Sequence, residues 1–517
     1  MAVRPLSESF DILGEWYLPE NPGRVIAGRL LYTPKRTELQ LNEAFQPMRG
    51  TVRAGDKVQS YPIIYGTTIR GDAVTLLKAQ SVGLSLNFGS AGMRQPERLI
   101  SSWLLIGAHV PPDFAYPEVS FRVPGLQAWL SRQIIESTFD KDQTTGRFFA
   151  SYRILPIERD STPIPSIDAT LDWGISWNSN VDAFTTISVG VSAWVTIRPS
   201  SPKTIEWYFE QQDKIATMLA FLGGAPMSTD CIEASMDESH NKVSILVAMR
   251  DASYCAYKNP HDFYMAREAM GANFANVVGR WFEVYPKVEK PSRLALSVLA
   301  SEKLWLHVEF LSLIQALEGF HRGLFDGNYM DEEGYESVKK ALGDAIPEDL
   351  ASDHKEALRS RIRYGNQISL RKRLDSLSAL LSERVRQIIL WPNGNVPHSW
   401  IDTRNYYTHW DEELRQNVLD GQSMYYANVR MRHFLRALYL QLMGIPQEAI
   451  YQSLCNASHT SQHLAQVNAI ERQRIDPDDT SGIIMTVTES EKSDLGELEP
   501  PANDVVVPPS DKTEPTK

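Results

Sequence analysis

The hydrophobic pattern of this 517-residue chain is mostly strand-like in its first part and helical in its second, and this change constrains the fold more than any other feature. Before about residue 200, β-branched and aromatic residues form short runs with partial alternation, as at 24–32, 59–69 and 184–197. After about residue 265, apolar residues recur at helical spacing. These patterns predict an α+β chain with a β-rich N-terminal domain, sandwich-like or barrel-like, followed by an all-α domain.

Two proline residues and the change of pattern suggest where the domains meet. We assign residues 1–265 to the β-rich domain and residues 291–457 to the helical domain. Residues 266–290 are expected to connect them as a helix or linker, because Pro286 and Pro291 interrupt the helical pattern there.

Several segments are predicted to be helices. Within the β-rich domain, a helix is expected near 203–222, where a Gly-Gly pair stops it, and another at 123–134. Helical spacing predicts the remaining helices at 266–284, 293–322, 332–344, 351–364, 370–390, 400–418, 422–443 and 446–457.

The net charge of −12 is unevenly distributed. As an average it argues against a nucleic-acid partner, which needs clustered Lys and Arg. Residues 476–517, however, carry eleven acidic and three basic side chains, and their Pro-rich polar composition predicts a disordered acidic tail. The remaining net charge is −4, and residues 353–375 carry seven basic side chains against three acidic ones. The overall charge therefore does not exclude an RNA substrate.

Several classes of chemistry lack their sequence motifs. The chain has no P-loop, no His-Glu-x-x-His and no Gly-x-Ser-x-Gly motif, and its three cysteines are far apart. We therefore expect no metal and no cofactor. Because no window of 18 residues is apolar, we also expect no membrane partner and a cytoplasmic location.

The segment PHSWIDTRNYYTHWDEEL, residues 397–414, is the most informative for function. Ser399 and Asp402 resemble a capping box, which predicts a helix that begins near Trp400. On that helix Arg404 and His409 are about 140° apart, so they need not converge on one substrate atom within one chain, but they can converge across a two-fold dimer. Arg stabilises phosphate charge and His transfers protons, which together suit cleavage of a phosphodiester.

Three segments resemble a known family. R-N-Y-Y-T-H at 404–409 resembles the Arg-x4-6-His motif of HEPN ribonucleases, and FLSLIQALEGFHR at 310–322 resembles the first long helix of the ApeA-like HEPN domain. GEWYLPENPGRVIAGRLLY at 14–32 resembles the start of the ApeA N-terminal domain. The resemblance implies a helical HEPN bundle that forms a homodimer or a higher even oligomer. It also implies an abortive-infection endoribonuclease that needs no metal, is triggered by a phage component and attacks host RNA, with tRNA the leading candidate.

The same resemblance implies roles for individual residues. Arg404 and His409 correspond to the catalytic pair, and Asn405 to the polar residue that follows the Arg. Glu318 is a weaker candidate that can orient Arg404 or His409, or instead pair with Arg322 four positions later.

Basic residues of the helical domain are candidates for RNA binding, with a solvated charged face as the alternative. They are Arg359, Arg361, Arg363, Arg371, Lys372, Arg373, Arg430 and Arg436. Two other function classes stay open at this point: a catalytically silent HEPN scaffold that binds RNA or protein, and a β-sandwich recognition protein whose helices only dimerise.

Overall fold

A computed structural model describes most of the chain. The described residues are 4–46, 59–84, 87–89, 92–157, 160–182, 185–237, 241–248, 257, 259–301, 303–456 and 459–475. The predicted disordered tail, residues 476–517, lies outside them.

Strands dominate the N-terminal half, as predicted. Those in the described residues are Phe10–Leu18 (β1), Asn21–Thr33 (β2), Arg36–Leu41 (β3), Ser60–Thr68 (β4), Ala73–Leu84 (β5), Asn87–Gly89 (β6), Gly92–Arg94 (β7), Glu97–Ile106 (β8), Glu118–Arg122 (β9), Ile135–Lys141 (β10), Phe148–Ile154 (β11), Asp160–Ile164 (β12), Ala169–Asp182 (β13), Thr186–Pro199 (β14), Cys231–Ser235 (β15) and Lys242–Val247 (β16).

Six of these strands close into a ring. β1, β2, β3, β8, β5 and β4 pair in that order, and β4 pairs again with β1. The sheet continues from β8 through β16, β15, β9, β14, β13 and β12, while β10–β11 and β6–β7 form separate hairpins. The barrel-like sheet predicted from the short alternating runs is therefore confirmed.

Trp16 fills the interior of this ring and explains two of its glycines. The side chain is fully buried, and a Cβ atom at Gly66 would lie only 2.2 Å from the indole ring. At Gly28 a Cβ atom would lie 3.1 Å from the same ring. Since β1 pairs with both neighbouring strands, only residues without side chains leave room for the indole between them.

Helices dominate the C-terminal half. The α-helices in the described residues are Leu126–Trp129 (α1), Ile205–Gly223 (α2), Phe274–Leu299 (α3), Leu306–Leu324 (α4), Glu332–Asp344 (α5), Ser352–Arg363 (α6), Leu370–Ser378 (α7), Glu383–Ile389 (α8), His398–His409 (α9), Gly421–Leu442 (α10), Gln447–Cys455 (α11) and His459–Ile475 (α12). None of these described helices has the length and apolar character needed to cross a bilayer.

Of the two forms expected for residues 266–290, the structure shows a helix from Phe274 onward, and α3 continues through Pro286 and Pro291 instead of ending there. Each proline removes one backbone donor, but burial of this helix offsets the loss. Pro291 is buried against α4, where a Cβ atom added at Gly319 would lie 3.3 Å from its ring. The indole of Trp281 is fully buried and donates to the carbonyl of Lys214 in α2 over 2.8 Å. The proline therefore contributes to a helix–helix contact rather than to a break.

Other helix limits differ from the predicted ones. The helix expected at 293–322 is divided, since α3 ends at Leu299 and α4 begins at Leu306. The one expected at 370–390 is divided into α7 and α8, and Ser382 caps the second by accepting a hydrogen bond from the Val385 amide. The helix predicted at 123–134 has only four residues.

Candidate active site

Two buried side chains fix the position of α9. Trp400 is 2 % exposed and Thr403 is fully buried, and the helix packs against α4 and α7. The Thr403 hydroxyl accepts a hydrogen bond from the Leu419 amide over 3.0 Å, which ties the chain after the helix back to it. The predicted capping box does not form: Pro397 precedes the helix, and Asp402 instead lies 3.2 Å from Nδ1 of His398.

His409 is the last residue of α9, nine residues before the predicted end of the helix. Trp410 ends the helix by adopting a left-handed conformation with φ of 53°, which a pattern of apolar residues does not signal. The imidazole of His409 is consequently exposed, and it makes no hydrogen bond or ion pair with any residue in the described part of the chain.

Arg404 is held by two neighbours. Its side chain is 29 % exposed, and Nη2 lies 3.5 Å from Oε2 of Glu318. Nη1 donates to Oδ1 of Asn405 over 3.1 Å. The structure thus brings Arg404, Asn405 and Glu318 together, but no hydrogen bond or ion pair among the described residues joins them to His409 in the same chain.

Glu318 makes both of the contacts that the sequence left as alternatives. Its Oε1 pairs with Nη2 of Arg322 at 2.9 Å, while its Oε2 faces Arg404. Gln367 also accepts from Arg322, with 3.2 Å between Oε1 and Nη1. Sequence reasoning did not identify Gln367, because it lies 45 residues from Arg322 and carries no local signal.

A buried Arg–His pair lies near Glu318. Arg373 is 1 % exposed, and its Nη1 lies 3.1 Å from Nδ1 of His321. Because a guanidinium only donates, Nδ1 accepts and the imidazole of His321 is neutral. Burial lowers the pKa of His321, and the charges of Arg373 and Arg322 lower it further against the opposing effect of Glu318. At the surface, Arg404 and Arg322 both contact the single carboxylate of Glu318, so this part of the site carries more positive than negative charge.

Comparison with family models identifies the family to which the chain belongs. A model described as ApeA N-terminal domain 1 matches residues 11–281, more than half of the sequence. The chain belongs to the ApeA family. A second model, Apea-like HEPN, matches residues 311–449, which include Glu318, Arg404 and His409. The family is one of anti-phage defence proteins with HEPN nuclease domains. No curated protein and no solved structure gives a significant match to the chain.

Five of the predicted RNA-binding cations of this ApeA-family HEPN domain are accessible to solvent. Arg359, Arg361 and Arg363 on α6 are exposed and make no ion pair with a described residue. Arg371 pairs with Asp375 at 2.9 Å and is 35 % exposed. The fifth cation is Lys372, which is exposed and has its Nζ 4.4 Å from the centre of the Tyr329 ring.

The prediction is wrong for the other three basic residues of the HEPN domain. Arg373, Arg430 and Arg436 are each at most 4 % exposed. Their guanidiniums donate to the carbonyls of Gly327, Ile389 and Gly224, respectively, so none of them lies on the outer surface of the helical domain. Arg430 and Arg436 are buried because α10 packs against α2, α3, α4, α8 and α11.

Aromatic side chains surround the exposed end of α9 in the HEPN domain. Tyr407 stacks on His307 of α4, with 5.7 Å between ring centres and 15° between ring planes. Trp410 is 68 % exposed and lies beside Tyr406 and Tyr407. Such rings can stack on unpaired bases. His307 and Trp410 were not predicted as site residues, because neither belongs to a recognisable motif.

Proposed function

We propose that this ApeA-family protein is a metal-independent endoribonuclease of abortive infection, which cleaves host RNA in the cytoplasm after a phage-encoded protein triggers it. We propose tRNA as the leading substrate. One observation carries the proposal: inside the matched HEPN segment, α9 holds an anchored Arg404 and an exposed His409 that contacts no polar group of the described residues. The β-rich domain, in this proposal, recognises the trigger or restrains the nuclease.

The proposed reaction uses the RNA's own nucleophile. A proton leaves the 2′-hydroxyl, its oxygen forms a bond to the adjacent phosphorus, and the bond from phosphorus to the 5′-oxygen breaks. The products are a cyclic phosphate and a 5′-hydroxyl, which takes up a proton. Arg404 stabilises the charge that develops on the phosphate oxygens, and His409 transfers a proton. The attack requires no metal-bound water.

The directions of the two side chains support an active site shared by two chains. Five residues along a helix correspond to a rotation of about 140° and a rise of about 7.5 Å. With Arg404 directed toward Glu318 of α4, His409 on the same helix points elsewhere. We therefore propose a homodimer, or a higher even oligomer, in which α9 of one protomer faces α9 of its partner.

RNA cleavage in EDTA is the direct test. We expect the purified full-length protein, once triggered, to produce fragments with cyclic phosphate ends. His409→Ala and Arg404→Ala should each reduce cleavage by at least about 100-fold, the usual scale for loss of proton transfer or of charge stabilisation. Both variants should also abolish protection of cells against phage.

Matched controls exist on or near the same helix. His398→Ala removes another exposed imidazole at the opposite end of α9, and Arg415→Ala removes an exposed guanidinium that pairs only with Glu412 among the described residues. Both should cleave RNA normally. Wild-type cleavage by either His409→Ala or Arg404→Ala would contradict the proposed reaction.

A catalytically silent scaffold is the second candidate, and one observation favours it. Arg404 is occupied by Glu318 and Asn405, and a single chain does not bring it to His409. The scaffold would bind RNA or a protein without producing cleavage products under any trigger. RNA binding that persists in His409→Ala, together with full phage protection by that variant, would support it against the nuclease.

A further inference from the structure

A cavity of about 710 Å³ lies outside the candidate active site. Its lining includes parts of α10 and α12, Ser301, Lys303 and Leu304 between α3 and α4, and two residues of the β-rich half, Gly224 and Tyr257. None of the described residues that line it belongs to α9. Its volume falls within the range of roughly 300–1,000 Å³ that is typical of sites for small molecules.

Arg436 is a buried cation on the wall of this cavity. Its side chain is 2 % exposed, and Nη2 donates to the carbonyl of Gly224 over 3.1 Å. The guanidinium carbon also lies 5.0 Å from the centre of the Tyr264 ring. No carboxylate of the described residues pairs with Arg436, and its Nε makes no hydrogen bond. A buried guanidinium without a counter-ion is costly, which indicates that an anion completes the site.

Further cations line the same cavity. Arg432 lies one turn before Arg436 on α10, and Lys303 precedes α4. Burial lowers the pKa of Arg436, and the charge of Arg432 adds to that lowering while Tyr264 and Tyr257 oppose it. Like charges at this helical spacing repel each other, so an anion between them would relieve the repulsion.

A single carboxylate lines the cavity among the described residues, and it does not neutralise the cations. Oε1 of Glu309 accepts from Nε of Arg432 over 2.7 Å, and the Glu309 side chain is 10 % exposed. Arg436 and Lys303 keep their charges unpaired within the described residues. With three cations and one carboxylate, the cavity suits a ligand that carries more than one negative charge.

We propose that this cavity binds a small phosphate-bearing anion, whose phosphate oxygens contact Arg436, Arg432 and Lys303. The planar donors of Arg match phosphate oxygens, and Lys adds a point charge. Tyr425 and Tyr257 add aromatic faces to the wall. A nucleoside phosphate and an inorganic polyphosphate share this chemistry. The proposal does not depend on nuclease activity, since it rests on different residues.

Isothermal titration calorimetry on the full-length protein tests the proposal with three probes: ATP, tripolyphosphate and adenosine. We expect saturable binding of ATP and no binding of adenosine, because the phosphates supply the charge. Tripolyphosphate that binds as tightly as ATP would support the site and assign the phosphate groups alone as its ligand. Weaker tripolyphosphate binding would support it and assign a nucleoside phosphate. Absence of saturable ATP and tripolyphosphate binding, or equal binding of adenosine and ATP, would overturn the proposal.

Lys303→Gln is the decisive variant, because Lys303 is exposed and supports no described contact. We expect it to weaken ATP binding by about tenfold, the scale of one lost charge-assisted hydrogen bond. Lys340→Gln removes an equally exposed Lys from α5 and should bind ATP as the wild type does. Equal affinities of the two variants would overturn the assignment.

Arg436→Gln supplies a second variant. Its amide is shorter and carries no charge, so ATP binding should weaken by about tenfold or more. Circular dichroism and gel filtration establish whether the variant folds. A folded Arg436→Gln protein with wild-type ATP affinity would overturn the proposal, and Lys303→Gln decides the matter if Arg436→Gln does not fold.

Discussion

Arg404 of α9 and Glu318 of α4 face each other with 3.5 Å between Nη2 and Oε2. The other carboxylate oxygen of Glu318 pairs with Arg322, one turn further along α4. Glu318 therefore connects the helix of the candidate catalytic pair to the longer helix that supports it. Since the Glu318 side chain is only 18 % exposed, its contacts restrict the direction of the Arg404 guanidinium more than a solvated pair would.

Glu318→Gln should slow RNA cleavage, because Glu318 positions the Arg404 guanidinium. The variant keeps the size of the side chain but removes its charge, so Arg404 loses its ion-pair partner. We expect kcat to fall about tenfold or more while KM for RNA does not rise, because a negative charge near the phosphate is also removed. Steady-state kinetics on a short RNA measures both constants.

Glu333→Gln is the matched control for this change. Glu333 is exposed in the first turn of α5 and belongs to no contact of the site. It should leave both constants unchanged. If Glu318→Gln kept the wild-type kcat, the positioning role of Glu318 would be excluded.

The hydroxyl of Thr403 should contribute to stability. Thr403→Val keeps the shape of the side chain but leaves the Leu419 amide without its acceptor, which costs about 1–3 kcal/mol when the group is buried. Thr403→Ser keeps the hydroxyl and should lose much less. Urea unfolding of both variants gives the comparison, and equal losses would show that packing of the methyl group, rather than the hydrogen bond, is what matters.

His321 should make the protein less stable at acidic pH. Its pKa is lowered in the folded state, so the unfolded chain takes up a proton first as the pH falls below about 6.5. The contribution is complete above about pH 6.5 and decreases below it by at most about 1.4 kcal/mol per pH unit. Urea unfolding at about pH 7.5 and about pH 5.5 measures this dependence.

His321→Asn isolates the effect of His321 from that of other titrating groups. Its Oδ1 atom replaces Nδ1 as an acceptor for Arg373 but does not bind a proton in this range. The variant should lose less stability than the wild type between the two pH values. An identical loss in both proteins would show that His321 does not titrate on unfolding.

The sequence predicts element types well where the signal is local. The stop of α2 at Gly223 before Gly224, which has φ of 84°, follows from the Gly-Gly pair, and the alternation in β2 marks its buried face. The limits of α3 and α9 were predicted less well. Pro291 is tolerated because α4 packs against it, and Trp410 adopts a conformation that is uncommon for any residue other than glycine.

The candidate site divides in the same way between local and long-range signals. The Arg404–Asn405 contact and the Glu318–Arg322 pair lie within short segments and could be read from the sequence. Burial of Arg373 could not, since it depends on His321 and Gly327, which are 52 and 46 residues away. A basic cluster in the sequence therefore mixes surface cations with structural ones, and only the packing of the helices separates them.

Arg359 and Arg363 should bind RNA through charge alone. They lie one turn apart on the exposed α6, so Arg359→Gln/Arg363→Gln removes two cations with little effect on folding. Loss of two phosphate contacts should weaken RNA binding. The logarithm of the association constant should also fall less steeply with the logarithm of the salt concentration, by about 1.4 in slope. Binding is measured on His409→Ala protein so that the RNA stays intact. The double variant Lys339→Gln/Lys340→Gln on α5 is the control, and equal salt slopes for the two variants would exclude α6 from the RNA-binding surface.

Gly66→Ala should disrupt the strand ring around Trp16. A methyl group at this position would lie 2.2 Å from the indole ring. The two backbones cannot move apart to make room, because Trp16 of β1 pairs directly with Gly66 of β4. Overpacking of this kind costs about 1–3 kcal/mol or more, so we expect a lower midpoint in urea unfolding. Gly174→Ala in β13 is the control, since an added Cβ atom there meets nothing within 4 Å and its backbone has no positive φ. Both variants add one methyl group to a strand glycine, but only the methyl group at Gly66 meets another side chain. Equal urea midpoints for the two variants would contradict the close approach of Trp16 to Gly66.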